Sequence, residues 1–229
     1  MTEVSATKPG ACSATIAVTP GGLMHPADRA ESGLAGTWRK RRWQILISST
    51  WVRERIAGLA REITRSTRAV KGGRLNLLVV LDGGDYFGRR LAREIRRAGG
   101  PPPVLHFVKA SSYGAARRSS GRCRISGNIA RLAGKDVIVV DDICDTGLTL
   151  MKIRERLAKN ALAAPVKTCV LFDKPKRRLA RLAGQPADFI GFKVPDYFLA
   201  GCGMDLGAEA RFRRLPYVIA LMRNPRRRP

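Results

Sequence analysis

Apolar residues along this chain follow two different periods. Val52, Ile56, Leu59 and Ile63 fall on one face at helical spacing, which predicts a helix over 50–65 that Ser49 or Thr50 can cap. Leu75–Leu81 is a short, nearly unbroken apolar run, the pattern of a strand buried on both faces. A second helix is expected through about residue 96, and Gly99-Gly100-Pro101-Pro102-Pro103 breaks the chain before a strand over 104–108. Residues 111–121, rich in Ser, Gly and Arg, have nothing to bury and predict a loop. A strand over 137–140, a helix over 147–159 and a strand over 166–172 repeat the alternation. Strands alternating with helices predict an α/β fold with a mainly parallel, twisted sheet flanked by helices.

Residues 1–42 lack sustained periodicity and contain Pro9-Gly10 and Pro20-Gly21-Gly22. They are expected to form a mostly disordered extension to a domain over 43–224, with 225–229 a basic tail. No basic start leads into a compact apolar run, so no signal peptide is expected; Glu3, Asp28 and Glu31 argue against an organellar presequence. No apolar run is long enough to span a bilayer.

The segment from Val137 to Thr149 carries the clearest chemistry. Asp141 and Asp142 emerge from an apolar strand, at the end where open α/β sheets bind ligands. Asp145-Thr146-Gly147-Leu148-Thr149 then enters a helix, whose first N–H groups and two Thr hydroxyls can hold a phosphate. Gly147 allows a tight turn and close approach to a ligand. Acids for sugar hydroxyls or metal, beside a phosphate cradle, suggest a phosphorylated sugar. The plain alternative is a strand followed by a capped helix.

Composition adds two points. The five cysteines are scattered, with no Cys-x-x-Cys pair, so neither a zinc site nor a disulfide framework is indicated, and a reducing cytoplasm fits. Cys144 reads as a small buried filler. The net charge of +25 is spread over clusters such as 39–42, 174–178, 211–214 and 226–228. Such charge can steer polyanionic substrates, bind nucleic acid nonspecifically, or simply cover solvated faces.

The 137–149 segment resembles the phosphoribosyl-pyrophosphate loop of type I phosphoribosyltransferases. It is most similar to the hypoxanthine-guanine phosphoribosyltransferase family, which reads Val-Glu-Asp-Ile-x-Asp-Thr-Gly-x-Thr; Asp141 stands here for the family Glu. The resemblance runs from about 43 to 218 in family order. It includes Ile45-Leu46-Ile47-Ser48, Leu81-Asp82-Gly83-Gly84, the segment 107–114, Leu171-Phe172-Asp173-Lys174-Pro175, 188–192, 195–201 and Arg213-Arg214-Leu215-Pro216.

This resemblance implies the type I fold with a small hood region, and a reaction joining a 6-oxopurine to phosphoribosyl pyrophosphate with Mg²⁺. By resemblance, Asp145 is the general base. Thr146, Gly147, Leu148 and Thr149 hold the 5′-phosphate. Asp141 and Asp142 take the ribose hydroxyls and, with Asp205, help hold the metal. Gly83, Gly84 and Arg213 meet pyrophosphate, with Arg211 or Arg214 as alternatives to Arg213. Lys174, Phe198, Leu199 and Asp205 surround the purine, and Ser112 and Tyr113 close over the site. Asp82 replaces a frequent family Lys and would repel pyrophosphate unless a cation lies between them. A homo-oligomer, dimer or tetramer, is implied as well. Two other readings stay open: a regulatory or RNA-binding relative on the same fold, and a xanthine-preferring transferase.

Overall fold

The computed structural model describes residues 15–19, 22–31, 35–38, 41–67, 73–112, 123–127, 129–132, 134–158, 166–205 and 210–222. The central sheet contains β1 (Ile16–Ala17), β4 (Leu75–Leu81), β5 (Pro103–Ser112), β6 (Cys123–Ser126), β7 (Val137–Cys144), β8 (Val166–Asp173) and β9 (Phe189–Lys193). Their order is β1-β9-β8-β7-β4-β5-β6, and every pairing is parallel except that of β5 with β6. Helices α1 (Ser49–Ser66) and α2 (Gly84–Arg97) share one apolar core with β4, β7, β8 and β9, and α3 (Leu148–Ala158) joins a second core cluster with alternate residues of β4, β7 and β8. The sheet is therefore covered on both faces, which is why its strands read as continuous apolar runs. Among the described residues, no helix is long and apolar enough to cross a membrane.

A smaller antiparallel sheet forms the hood. Its order is β10 (Phe198–Ala200), β11 (Val218–Leu221), β3 (Arg41–Ile47) and β2 (Ala35–Trp38). It joins strands from both ends of the sequence, so the roof of the site is a long-range construction.

The structure corrects the expectation of a disordered extension for part of residues 15–38. Ile16 and Ala17 pair with Phe192 and Lys193 at the sheet edge, and β2 pairs with β3. Leu23 bridges Leu46 and Ser48 by backbone hydrogen bonds of 2.7 and 3.0 Å. The expected capping by Ser49 or Thr50 is corrected too. The cap position is Ser48, which makes no side-chain cap bond. Instead Glu31 Oε2 accepts the Ser49 N–H at 2.9 Å, and Asp28 Oδ2 accepts the Thr50 N–H at 2.9 Å. Two acids at the helix start also suit its dipole.

Burial opposes the charge on Asp28, but hydrogen bonds from Ser48 and Thr50, with Arg53 nearby, outweigh it and hold the carboxyl below its ordinary 3.8. Its contribution to stability is present above that value and fades as pH falls below it. Asp28→Ala should cost about 1 kcal/mol at neutral pH, read from urea unfolding. No change would mean the segment does not brace α1.

Candidate active site

A cleft of about 500 Å³ lies between the carboxyl ends of the parallel strands and the hood. Its floor is Gly83 after β4, Asp142, Ile143 and Asp145 in and after β7, and Lys174 and Arg177 after β8. Residues 196–199, 203–205 and Arg213 form the other wall.

The β7 strand runs three residues past the first acid, to Cys144, so Asp141 and Asp142 are strand residues and not the start of a loop. Asp142 Oδ1 accepts the Ile143 N–H at 2.8 Å, and Asp141 Oδ1 accepts the Asp142 N–H at 3.0 Å. A Cβ on Gly83 would lie 1.8 Å from Asp142 Oδ2, so only glycine permits this approach. From the hood, Gly203, at φ +102°, packs so closely that a Cβ there would meet the Gly83 carbonyl at 2.2 Å. Gly84 is the first residue of α2. Burial raises both carboxyls above the ordinary range, and for Asp141 the negative Asp142 adds to the rise. Asp142 lines the cleft; Asp141 is buried behind it and does not.

Asp145 is half-exposed at the cleft floor, and its Oδ1 accepts a hydrogen bond from Arg177 Nε at 3.0 Å. Beyond it the chain turns into α3 at Gly147, φ +84°, where a Cβ would lie 2.7 Å from Arg178. Thr146 Oγ1 accepts the Leu148 N–H at 3.4 Å. Thr146 and Gly147 form the bend beside Asp145 and Leu148 and Thr149 open α3, without any of the four lining the cleft. The segment after β8 is pinned to this bend. Lys174 N–H donates to the Cys144 carbonyl at 2.9 Å and Leu179 N–H to that of Thr146 at 3.2 Å. Arg178, buried, bonds the Asp173 carboxylate and touches Cys144 Sγ. Burial pushes the Cys144 thiol up to about 11 despite Arg178, consistent with a filler.

Lys174 is buried, and that burial holds its ammonium below its ordinary value, with Asp145 and Asp196 working the other way. Phe198 stays 48% exposed at the mouth, while Leu199 beside it is buried. Asp205 lines the cleft and accepts hydrogen bonds from Arg213, whose Nε and Nη2 both lie 2.7 Å from Oδ2. Arg213, and not the exposed Arg214, reaches the cleft; the Arg211 side chain lies outside the described residues. So do Tyr113, residues 114–121 of the expected 111–121 loop, whose first two positions instead end β5, and the 225–229 tail. Ser112 is described only as the last backbone position of β5, paired with Cys123.

A family model for the phosphoribosyl transferase domain matches residues 50–205. The chain is 35% identical to the hypoxanthine phosphoribosyltransferase of Salmonella typhimurium, over 76% of this chain and 93% of that protein. It is 34% identical to the hypoxanthine-guanine phosphoribosyltransferase of Aquifex aeolicus, over 76% of this chain and 92% of the other. The chain belongs to the hypoxanthine-guanine phosphoribosyltransferase family. Solved structures agree. The hypoxanthine phosphoribosyl transferase of Trypanosoma cruzi superimposes with a TM-score of 0.68 at 29% identity, over 78% of this chain and 91% of that one. The Bacillus anthracis hypoxanthine-guanine phosphoribosyltransferase gives 0.63 at 31%, over 78% and 97%.

Within this phosphoribosyltransferase cleft, two charged residues escaped the sequence reading. Arg177 lies in a run of basic residues that looks like a solvated face, and Asp196 falls in a matching segment but had no role. Only their meeting point, 3.7 Å apart across the cleft floor, marks them.

Proposed function

We propose that this phosphoribosyltransferase salvages purines, joining hypoxanthine or guanine to phosphoribosyl pyrophosphate and releasing IMP or GMP with pyrophosphate. The observation that carries the reading is the convergence of Asp145, Lys174 and Phe198 in one cleft, beside the bend at Thr146–Thr149. The reaction requires a positive charge to build at the ribose C1′ as pyrophosphate leaves, and a proton to leave the attacking purine. Asp145 takes that proton. Lys174 donates to the 6-oxo group, and its buried ammonium is a preorganised donor. Phe198 stacks on the base. At Leu199 the base reads backbone groups, because β10 is an edge strand. The bend holds the 5′-phosphate, Asp142 takes the ribose with Asp141 buried behind it, and Gly83, Gly84 and Arg213 meet pyrophosphate.

The cleft carboxylates Asp142 and Asp205 suit Mg²⁺, a hard ion that is bound by one or two carboxylates with water and phosphate oxygens completing its shell. Among the described residues, no three acidic, Cys or His side chains are gathered to hold a metal by themselves. When bound, Mg²⁺ would neutralise charge on the pyrophosphate.

The test is nucleotide formation by purified protein given phosphoribosyl pyrophosphate, Mg²⁺ and, separately, hypoxanthine, guanine, xanthine and adenine. Turnover with hypoxanthine or guanine is expected. Preference for xanthine, or no turnover, would overturn the reading. A second reading, nucleic-acid binding, is favoured by one observation: Arg53, Arg90, Arg93 and Arg97 face a groove of about 290 Å³ between α1 and α2, with only Glu54 and Glu94 opposite in charge. It predicts an RNA affinity that falls steeply with salt. The enzyme is expected to be a cytoplasmic dimer or tetramer, which sedimentation would establish.

Asp82 is exposed beside this cleft, and the Leu81–Asp82 peptide is cis. Asp82→Lys should lower the KM for phosphoribosyl pyrophosphate a few-fold, as about 0.2–1 kcal/mol of exposed charge interaction allows. An unchanged or higher KM would remove the electrostatic account of this position.

A further inference from the structure

We infer that Arg177 is a positioning residue of the transfer reaction: it fixes the Asp145 carboxylate and registers it against the base-binding segment through Asp196. This role rests on the purine-salvage reading above. Three elements meet at one guanidinium. Asp145 follows β7, Arg177 ends the short turn Pro175–Arg177, and Asp196 precedes β10. Arg177 Nε lies 3.0 Å from Asp145 Oδ1 and 3.7 Å from Asp196 Oδ1. The two carboxylates come from different sides of the cleft, Asp145 from its floor and Asp196 from the other wall, and each would repel the other without the cation between them.

The guanidinium has a rigid support. Arg177 N–H donates to the Lys174 carbonyl at 3.0 Å, and the turn is tied to the Asp145 bend through Lys174–Cys144 and Leu179–Thr146 backbone bonds of 2.9 and 3.2 Å. Just after it, the buried Arg178–Asp173 pair fastens the segment to the end of β8. A planar guanidinium on such a base fixes the direction of its Nε–H toward Asp145 as well as the charge beside Asp196, which a lysine ammonium does not. With Oδ1 held by Arg177, Oδ2 is the oxygen left to receive the purine proton. Lys174 does not substitute for Arg177. It is buried, whereas Arg177 is 38% exposed and reaches both acids. The bridge to Asp196 sets Phe198 and Leu199, two and three residues on, relative to the proton acceptor.

The experiment is a single-turnover measurement of nucleotide formation on wild type, Arg177→Gln, Arg177→Lys, Asp145→Asn and the Arg177→Gln/Asp145→Asn double variant, with the dissociation constant for phosphoribosyl pyrophosphate alongside. Arg177→Gln should slow the single turnover by about 10- to 100-fold, the effect of misplacing a reacting group by an ångström or so. Its affinity for phosphoribosyl pyrophosphate should stay within about twofold, since only positioning is lost. Arg177→Lys should recover the rate in part, because it keeps the charge and loses the planar guanidinium. In the Asp145→Asn background the same Arg177→Gln change should cost less than about twofold, because a residue that acts through Asp145 has nothing left to position.

An undiminished cost in that background would overturn the role. So would a large loss of phosphoribosyl pyrophosphate affinity, which would make Arg177 a phosphate ligand. If Arg177→Gln fails to fold, Arg177→Lys decides, and a wild-type rate there would overturn the need for a planar guanidinium. A wild type that turns over hypoxanthine while Arg177→Gln keeps pace defeats the positioning role alone. A wild type that turns over no purine defeats the purine-salvage reading, and this role with it.

Discussion

Asp145→Asn should lower the rate of nucleotide formation by about 10²- to 10⁴-fold, the usual worth of a general base. The substitution is close to isosteric. An amide oxygen can still accept the Arg177 Nε–H that now reaches Oδ1 at 3.0 Å, so the bend should keep its shape. What the amide cannot do is take a proton. The loss should therefore fall on the chemical step, with phosphoribosyl pyrophosphate affinity little changed, because the sites proposed for its 5′-phosphate and pyrophosphate lie on other residues. Steady-state kinetics with hypoxanthine and guanine, supported by single turnovers, would check this. Retention of rate within about tenfold would remove Asp145 as the base, since such a change is smaller than general-base catalysis supplies.

The second large effect concerns stability and lies away from the cleft. Arg55 is only 1% exposed, in the middle of α1. Its Nε donates to the Gly191 carbonyl at 2.9 Å, Nη2 to Ile190 at 2.7 Å and Nη1 to Glu62 at 2.7 Å. The guanidinium thus ties α1 to two carbonyls of β9, 135 residues away. Arg55→Met keeps the apolar stem but removes the charged donor from two buried carbonyls, of which Ile190 keeps only the Thr15 hydroxyl at 3.3 Å, and from a half-buried carboxylate. Removing one partner of a buried, hydrogen-bonded charge costs about 3–5 kcal/mol. For a chain of this size that is a fall in Tm of roughly 10 °C. Thermal and urea unfolding would measure it, and a Tm within a degree or two of wild type would show that the contacts contribute little. The folded fraction should keep its turnover rate.

Both residues show how far the sequence reaches. Asp145 is legible without a structure because its signal is local: an apolar strand, acids at its end, a glycine bend and a helix start lie within thirteen residues. Adjacent positions in that segment stay adjacent in space. The alternation of strand and helix, and hence the mainly parallel sheet covered on both faces, is legible for the same reason, since burial on one or two faces is written as periodicity. Lys174, Phe198, Asp205 and Arg213 are legible through resemblance to a family, and the structure brings all four to one cleft.

Arg55 and Arg177 look in sequence like many other arginines of a chain with a net charge of +25. One is buried under β9 and the other bridges two walls of a cleft because of where distant segments pack. The same holds for residues 15–38. Short stretches such as Ile16–Ala17 and Ala35–Trp38 have no periodicity of their own to detect. Their order comes from partners at 192–193 and 41–44, and Asp28 and Glu31 find their function in satisfying a helix start some twenty residues on. By itself the sequence determined the alternating strands and helices of the main sheet, the family and the local pattern of the central loop, because those depend on neighbours along the chain. Which charges are buried, which acids cap a helix, and which arginine meets Asp145 were decided only by tertiary structure, because an ionic group's role depends on what the fold places within a few ångströms of it.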